Sequence, residues 1–191
     1  MATYKEIHGT NIEVVSSDPS NPVNGQVWYN TTTNVIKGFT SNPVGSWAVS
    51  NDMNTARRTT GGLGIQTAAL AVGGYTTTDV AITESYDGSS WTEIGDINDA
   101  RRVYATAGTS TAGLIFGGST PAATDNTETF NGTSWTEVNN LNTARNESAG
   151  TGTNTAALCF GGGPPNLAIT ELWDGTSWTE VGDLNTARRL T

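Results

Sequence analysis

From Trp47 onward the chain repeats itself every 43 to 44 residues. Trp47, Trp91, Trp135 and Trp178 keep this interval, as do the glycine pairs that begin at Gly73, Gly117 and Gly161. The pairs Ala56-Arg57, Ala100-Arg101, Ala144-Arg145 and Ala187-Arg188 keep it too. A fixed period of this length marks an array of one supersecondary unit, in which each copy buries its apolar surface against its neighbours. Recurring residues are therefore architecture first and chemistry second.

Within each period the residues predict four short strands. An Arg-led segment such as Arg57 to Gly64 opens the unit. A short apolar run follows, Ala68–Val72, Gly113–Phe116 or Ala156–Phe160, and ends at the glycine pair. Such runs bounded by glycine fit strands buried on both faces. After a variable loop come Ile82–Tyr86, Thr127–Phe130 and Ile169–Trp173, each closed by Asp87-Gly88, Asn131-Gly132 or Asp174-Gly175. Asx-Gly between strand-like runs predicts a hairpin in which both turn residues take positive φ. The fourth strand carries Trp91, Trp135 or Trp178. Thr, Asn, Ser and 23 Gly dominate the composition, which agrees with an all-β chain of short strands.

The two ends look complementary. Residues 26–50 read as a degenerate unit, with strands at Val27–Tyr29, Val35–Phe39 and Ser46–Val49, and Thr186–Thr191 copies the opening of a unit. The expectation is a ring closed by pairing these ends within one chain. A homo-oligomeric ring shared by two chains is the rival. Residues 1–25 show no repeat and read as an arm or attachment segment, with residues 26–191 as the repeat domain.

Charge and single residues narrow the function classes. The chain holds 18 acidic and 9 basic residues, a net charge of −9 that repels phosphate backbones, so no nucleic-acid partner is expected. Seven arginines share one repeat slot, so a radial fold would spread them and keep them from merging into a basic patch. No stretch reaches the length of a membrane span, so no membrane partner is expected, and no signal-peptide pattern opens the chain. Cys159 stands alone, which excludes a disulfide framework. His8 is the single histidine, so no His-based triad or zinc site can be assembled. The glycine pairs end strands with no helix after them, which removes the logic of a phosphate loop. A calcium site of Asp and Asn oxygens lacks the spaced acidic loop of an EF-hand. No catalytic, cofactor or metal residues are assigned, and the chain is read as a non-enzyme.

Glu84, Glu128 and Glu171 share a strand face with the aromatic residue two positions on. A carboxylate there needs a partner, and the phased Arg57, Arg101, Arg145 and Arg188 can supply one. The expectation is an Arg–Glu clamp, not a ring of catalytic acids. Trp91, Trp135 and Trp178 are expected between sheets. Trp28 and Trp173 are less regular and better placed to stack on a sugar, though core is again the expectation. The loops 75–81, 119–126 and 163–168 differ most between units and should emerge on the same face as the links between units. Tyr75, Asp79, Asp125, Pro164, Pro165 and Asn166 are the candidate binding residues, because variable loops on a rigid scaffold carry specificity.

The glycine pair after strand two, the aromatic on strand three and the Trp on strand four together resemble the kelch repeat, a β-propeller blade. The spacing from aromatic to Trp is five residues, shorter than kelch usually shows. The resemblance implies a kelch-like β-propeller of four-stranded antiparallel blades, three complete and one split or partial. The copper-oxidase ligand set of some kelch propellers has no counterpart. The phrases YDGSSWTEIGDINDARR, FNGTSWTEVNNLNTARN and LWDGTSWTEVGDLNTARR resemble propeller repeats of virion proteins from marine bacteriophages. The opening MATYKEIHGTNIEVVSS likewise resembles leaders of phage tail-associated proteins. That resemblance implies a virion location, capsid- or tail-associated, with the arm bound to other virion proteins. Its alternative is a module that binds a host-surface glycan or receptor.

Overall fold

The computed structural model describes residues 12–39 and 49–189, all of them strand, turn or coil. The chain divides into two compact units, Met1–Val49 and Ser50–Thr191.

In the first unit β1 (Glu13–Val15), β2 (Val27–Asn30) and β3 (Val35–Gly38) form one sheet in the order β1-β2-β3. The expected strands around the 31–34 turn are present and pair antiparallel, Trp28 opposite Lys37. The pairing also crosses the expected arm boundary, because β1 runs parallel to β2 with Glu13 opposite Trp28. This parallel pair sets the N-terminal sheet apart from the repeats. The predicted strand around Trp47 lies outside the described residues.

The second unit holds three sheets, each a four-stranded antiparallel meander. Sheet I comprises β4 (Gly61–Ile65), β5 (Ala68–Val72), β6 (Thr83–Tyr86) and β7 (Trp91–Ile94). Sheet II comprises β8 (Ala105–Gly108), β9 (Gly113–Phe116), β10 (Thr127–Phe130) and β11 (Trp135–Val138). Sheet III comprises β12 (Ala149–Gly152), β13 (Ala157–Phe160), β14 (Thr170–Trp173) and β15 (Trp178–Val181). The three copies share one register: Tyr86 faces Trp91, Phe130 faces Trp135 and Trp173 faces Trp178. The first strands β4, β8 and β12 lie side by side in that order.

Two apolar cores join the sheets. Leu63, Leu70, Val72 and Ile97 of the first repeat meet Ile115, Phe130 and Trp135 of sheet II. Ala107, Leu114, Phe116 and Leu141 meet Ala157, Cys159, Trp173 and Trp178 of sheet III. The alternation of side chains explains both cores, since neighbouring residues of β9 serve opposite faces: Leu114 and Phe116 one way, Ile115 the other. Gly113 lets the sheets approach closely here, since a Cβ would lie 2.8 Å from the end of the Leu63 side chain of sheet I and that side chain would have to move.

The turns between third and fourth strands differ from expectation. Gly88, Gly132 and Gly175 take φ of 94°, 96° and 94°, but the Asx residues before them do not take positive φ. Instead the Asp87 carboxylate accepts the N–H groups of Ser89 and Ser90 at 2.8 Å, and Asn131 and Asp174 repeat the pattern. The side chain replaces a backbone turn bond, so only glycine needs the left-handed conformation. The C-terminal segment occupies the link that would precede a strand: Leu184 N–H donates to Ala168, as Ile97 does to Ala81 and Leu141 to Asp125. The predicted ring closure pairs residues 26–50 with 186–191, of which 40–48, 190 and 191 lie outside the described residues.

Candidate functional site

The recurring charges resolve into three buried clamps. Glu84 pairs with Arg57, Glu128 with Arg101 at 3.1 Å and Glu171 with Arg145 at 2.8 Å. Arg101 and Arg145 are 0 % exposed. Each carboxylate also receives a backbone N–H from the incoming link: Asn54 at 2.6 Å, Asn98 at 2.7 Å and Asn142 at 2.7 Å. The same asparagine side chains donate to the carbonyl of the fourth-strand tryptophan, Trp91, Trp135 or Trp178. The asparagines were missed in the sequence reading, although Asn-x-Ala-Arg recurs at Asn54, Asn98, Asn142 and Asn185. Burial works against the Glu84 anion, but the Arg57 ion pair and the Asn54 and Thr55 N–H groups hold its carboxyl below the usual range. At Arg101 burial pushes the guanidinium below its usual value while Glu128 pulls it back, and an arginine stays cationic throughout. These groups hold the links to the sheets.

Arg188, the fourth member of the expected series, differs. It is exposed, and its Nε donates to the Thr186 carbonyl at 3.3 Å.

The tryptophans are structural where they are described. Trp135, Trp173 and Trp178 are buried, and so is Trp28. Trp173 donates to the Asn154 carbonyl at 3.0 Å and Trp28 to Asp18 at 3.0 Å. Among the described tryptophans of the repeat series, Trp91 alone is half-buried.

The variable loops and the links meet on one face, as expected, through short bridges pairing Arg58 with Tyr75, Arg102 with Ser119 and Asn146 with Gly163. Tyr75 and Asp79 are brought together by an antiparallel bridge. The guanidinium groups of Arg58 and Arg102 both lie over the Tyr75 ring, at 4.9 and 4.5 Å from its centroid. Asp79 accepts from Arg102 at 2.8 Å. Two of the seven arginines thus meet at this point, with Asp79 neutralising one of them, while Arg57, Arg101 and Arg145 are buried in separate clamps. Arg57 and Arg101, the first of their doublets, turn inward to Glu84 and Glu128, and the second members, Arg58 and Arg102, lie on the loop face, where two adjacent links converge. The Arg-Arg doublet was the available signal for Arg58 and Arg102.

The other candidates do not join this cluster. Asp125 is half-buried, and its carbonyl receives the Leu141 N–H at 3.0 Å. Pro164, Pro165 and Asn166 are exposed on the third loop, beyond the Asn146–Gly163 bridge. A shallow groove lined by Glu137, Asn139, Asn140, Trp173 and Thr176 runs along sheets II and III. Among the described residues no group of three His, Cys, Asp or Glu side chains is placed to hold a metal ion. No helix among them is long and apolar enough to cross a membrane.

No family model matches the chain, and no curated protein matches it.

Proposed function

We propose that this chain is a non-catalytic structural protein of a phage virion, built as a kelch-like propeller with its loop face turned outward and its N-terminal arm bound to other particle proteins. The observation that carries the non-catalytic reading is the set of clamps. The recurring Glu84, Glu128 and Glu171 are each spent on a link N–H and an arginine. Catalysis by acid and base needs a group free to exchange its proton with a substrate. The propeller reading is supported by three meanders in one register with their first strands adjacent. The particle assignment rests on the resemblance of the repeat and leader phrases. Expressing the chain with and without residues 1–25 during phage assembly tests it. The full chain should co-purify with particles and the shortened one should not; equal incorporation would overturn the role of the arm.

A second reading, attachment to a host-surface glycan or receptor, is favoured by the Tyr75–Arg102–Asp79 cluster on the variable loops. An aromatic ring with planar donors and a carboxylate is the chemistry that recognises hydroxyl-rich ligands. Whole-cell binding that is lost in Tyr75→Ala, at unchanged melting temperature, would favour it over the purely structural role.

A further inference from the structure

Within the repeat unit, sheet II packs on a neighbouring repeat with both faces, whereas sheets I and III each meet another repeat on one face. On the boundary between sheets II and III, Phe116 of β9 meets Trp178 with ring centroids 4.8 Å apart. The residue in the Phe116 position of sheet III is Phe160, and the residue in the Trp178 position of sheet I is Trp91. Both are half-buried, whereas Phe116 and Trp178 are buried. The same contrast holds for Leu158 against buried Leu70 and Leu114, and for Leu184 against buried Ile97 and Leu141. Beside Trp91, a groove runs along Gly62, Gly64, Ala69 and Ala71 of sheet I.

The charges show the same imbalance. At each internal boundary the outgoing link delivers an asparagine N–H and an arginine to the glutamate of the next sheet. The link leaving sheet III is seated normally: Arg188 N–H donates to Leu167 and its carbonyl receives Gly162. Its Asn185 and Arg188 are nevertheless exposed. Residues 26–50 contain no Asp or Glu, and the position two before Phe39, where the repeats carry glutamate, is Lys37. The segment expected to close the ring thus offers this link no carboxylate. Asn185–Arg189 and Asn54–Arg58 are identical, Asn-Thr-Ala-Arg-Arg, so the link from sheet III matches the segment that clamps Glu84.

We propose that copies of this chain associate head to tail, the outer face of sheet III in one copy packing on the outer face of sheet I in the next. Phe160 and Leu158 pack on Trp91 of the second copy, and Asn185 and Arg188 take the places of Asn54 and Arg57 at its Glu84. The interface continues the two already formed inside the chain. Exchange of an identical segment replaces each lost contact with its equivalent, so the gain is the burial of the two open apolar faces. The inference rests on the stacking of the sheets and not on the particle assignment, so association in solution without particle binding separates the two.

Native mass spectrometry and light scattering of the full chain across a concentration series test it. The wild type should form concentration-dependent species above the 19.9 kDa monomer. Arg188→Glu, a change at an exposed residue, should weaken association at least tenfold with unchanged circular dichroism, and Phe160→Asp should do the same. The double variant Phe160→Cys/Trp91→Cys should oxidise to covalently linked multimers, with neither single variant doing so through this pairing; Cys159 is buried. A monomer at every concentration would overturn the proposal. So would an oligomer that persists unchanged in both Arg188→Glu and Phe160→Asp.

Discussion

Asp18 in the N-terminal sheet and Glu84 in sheet I each gather three donors, but in different surroundings. Asp18 accepts from Trp28 at 3.0 Å, Asn30 at 2.7 Å and Lys37 at 2.7 Å, and its side chain is 46 % exposed. Glu84 accepts from Asn54, Thr55 and Arg57 with a side chain fully shielded from water. An exposed pair is screened, so removing it changes little; a buried pair, once broken, leaves an unsolvated charge. The N-terminal sheet can tolerate editing of its charges, and the repeats cannot.

The largest effect should come from breaking a clamp. Arg145→Ala leaves Glu171 buried without its cation and should cost about 3–5 kcal/mol in urea unfolding of the repeat unit. Arg188→Ala, in the same repeat slot but exposed, should stay within about 0.5 kcal/mol when measured on the monomer. Equal losses in the two variants would break the comparison between buried and exposed positions.

Next comes Tyr104, which is buried between sheets I and II. Its hydroxyl donates to the Val72 carbonyl and accepts the Gly61 N–H at 3.1 Å. Tyr104→Phe leaves both groups unpaired and should cost about 1–3 kcal/mol. An unchanged denaturation midpoint would show that water replaces the hydroxyl there.

A gain is expected at Val103. Thr59, Val103 and Glu147 occupy one repeat slot with φ of 54°, 51° and 53°. A β-branched side chain is the least suited to this region, and Asn tolerates it. Val103→Asn should stabilise the fold by about 1 kcal/mol. A loss would mean that packing of the valine outweighs its backbone strain.

The smallest effects should appear on acidification, and they separate the two units. Both carboxyls are held below their ordinary values, so each contributes stability that is present above the ordinary value and is lost as pH falls through the lowered one. Asp18 is lowered from 3.8 to about 2, chiefly by the hydrogen bond from Lys37 and then those from Trp28 and Asn30. The Trp28 environment should therefore change between pH 3.8 and about 2, as followed by its indole N–H resonance. Glu84 should carry the corresponding loss in the repeats, below the ordinary glutamate range, and Glu84→Gln should flatten that part of their acid transition. A Trp28 titration complete above pH 4 would remove the hub.

The sequence by itself determined the all-β class, the number of strands per repeat and the need of the recurring glutamates for an arginine partner. Period and alternation suffice for these, because they follow from chain geometry and from the cost of an unpaired buried charge. They did not determine which arginine each glutamate would take, or that Arg188 would take none. The strand limits at Gly113–Phe116 and Thr127–Phe130 coincide with those read from the residues. Tertiary structure decided what depends on the meeting of distant segments. Asn98 and Asn142 cap carboxylates 30 and 29 residues away, which no local spacing signals. Arg58 and Arg102 converge on Tyr75 only because two successive links fold onto one end of sheet I. The parallel pairing of β1 with β2 likewise comes from contacts between segments that share no repeat. Local chemistry chose the elements, and the stacking of sheets chose which copy of each recurring residue is buried and which faces water.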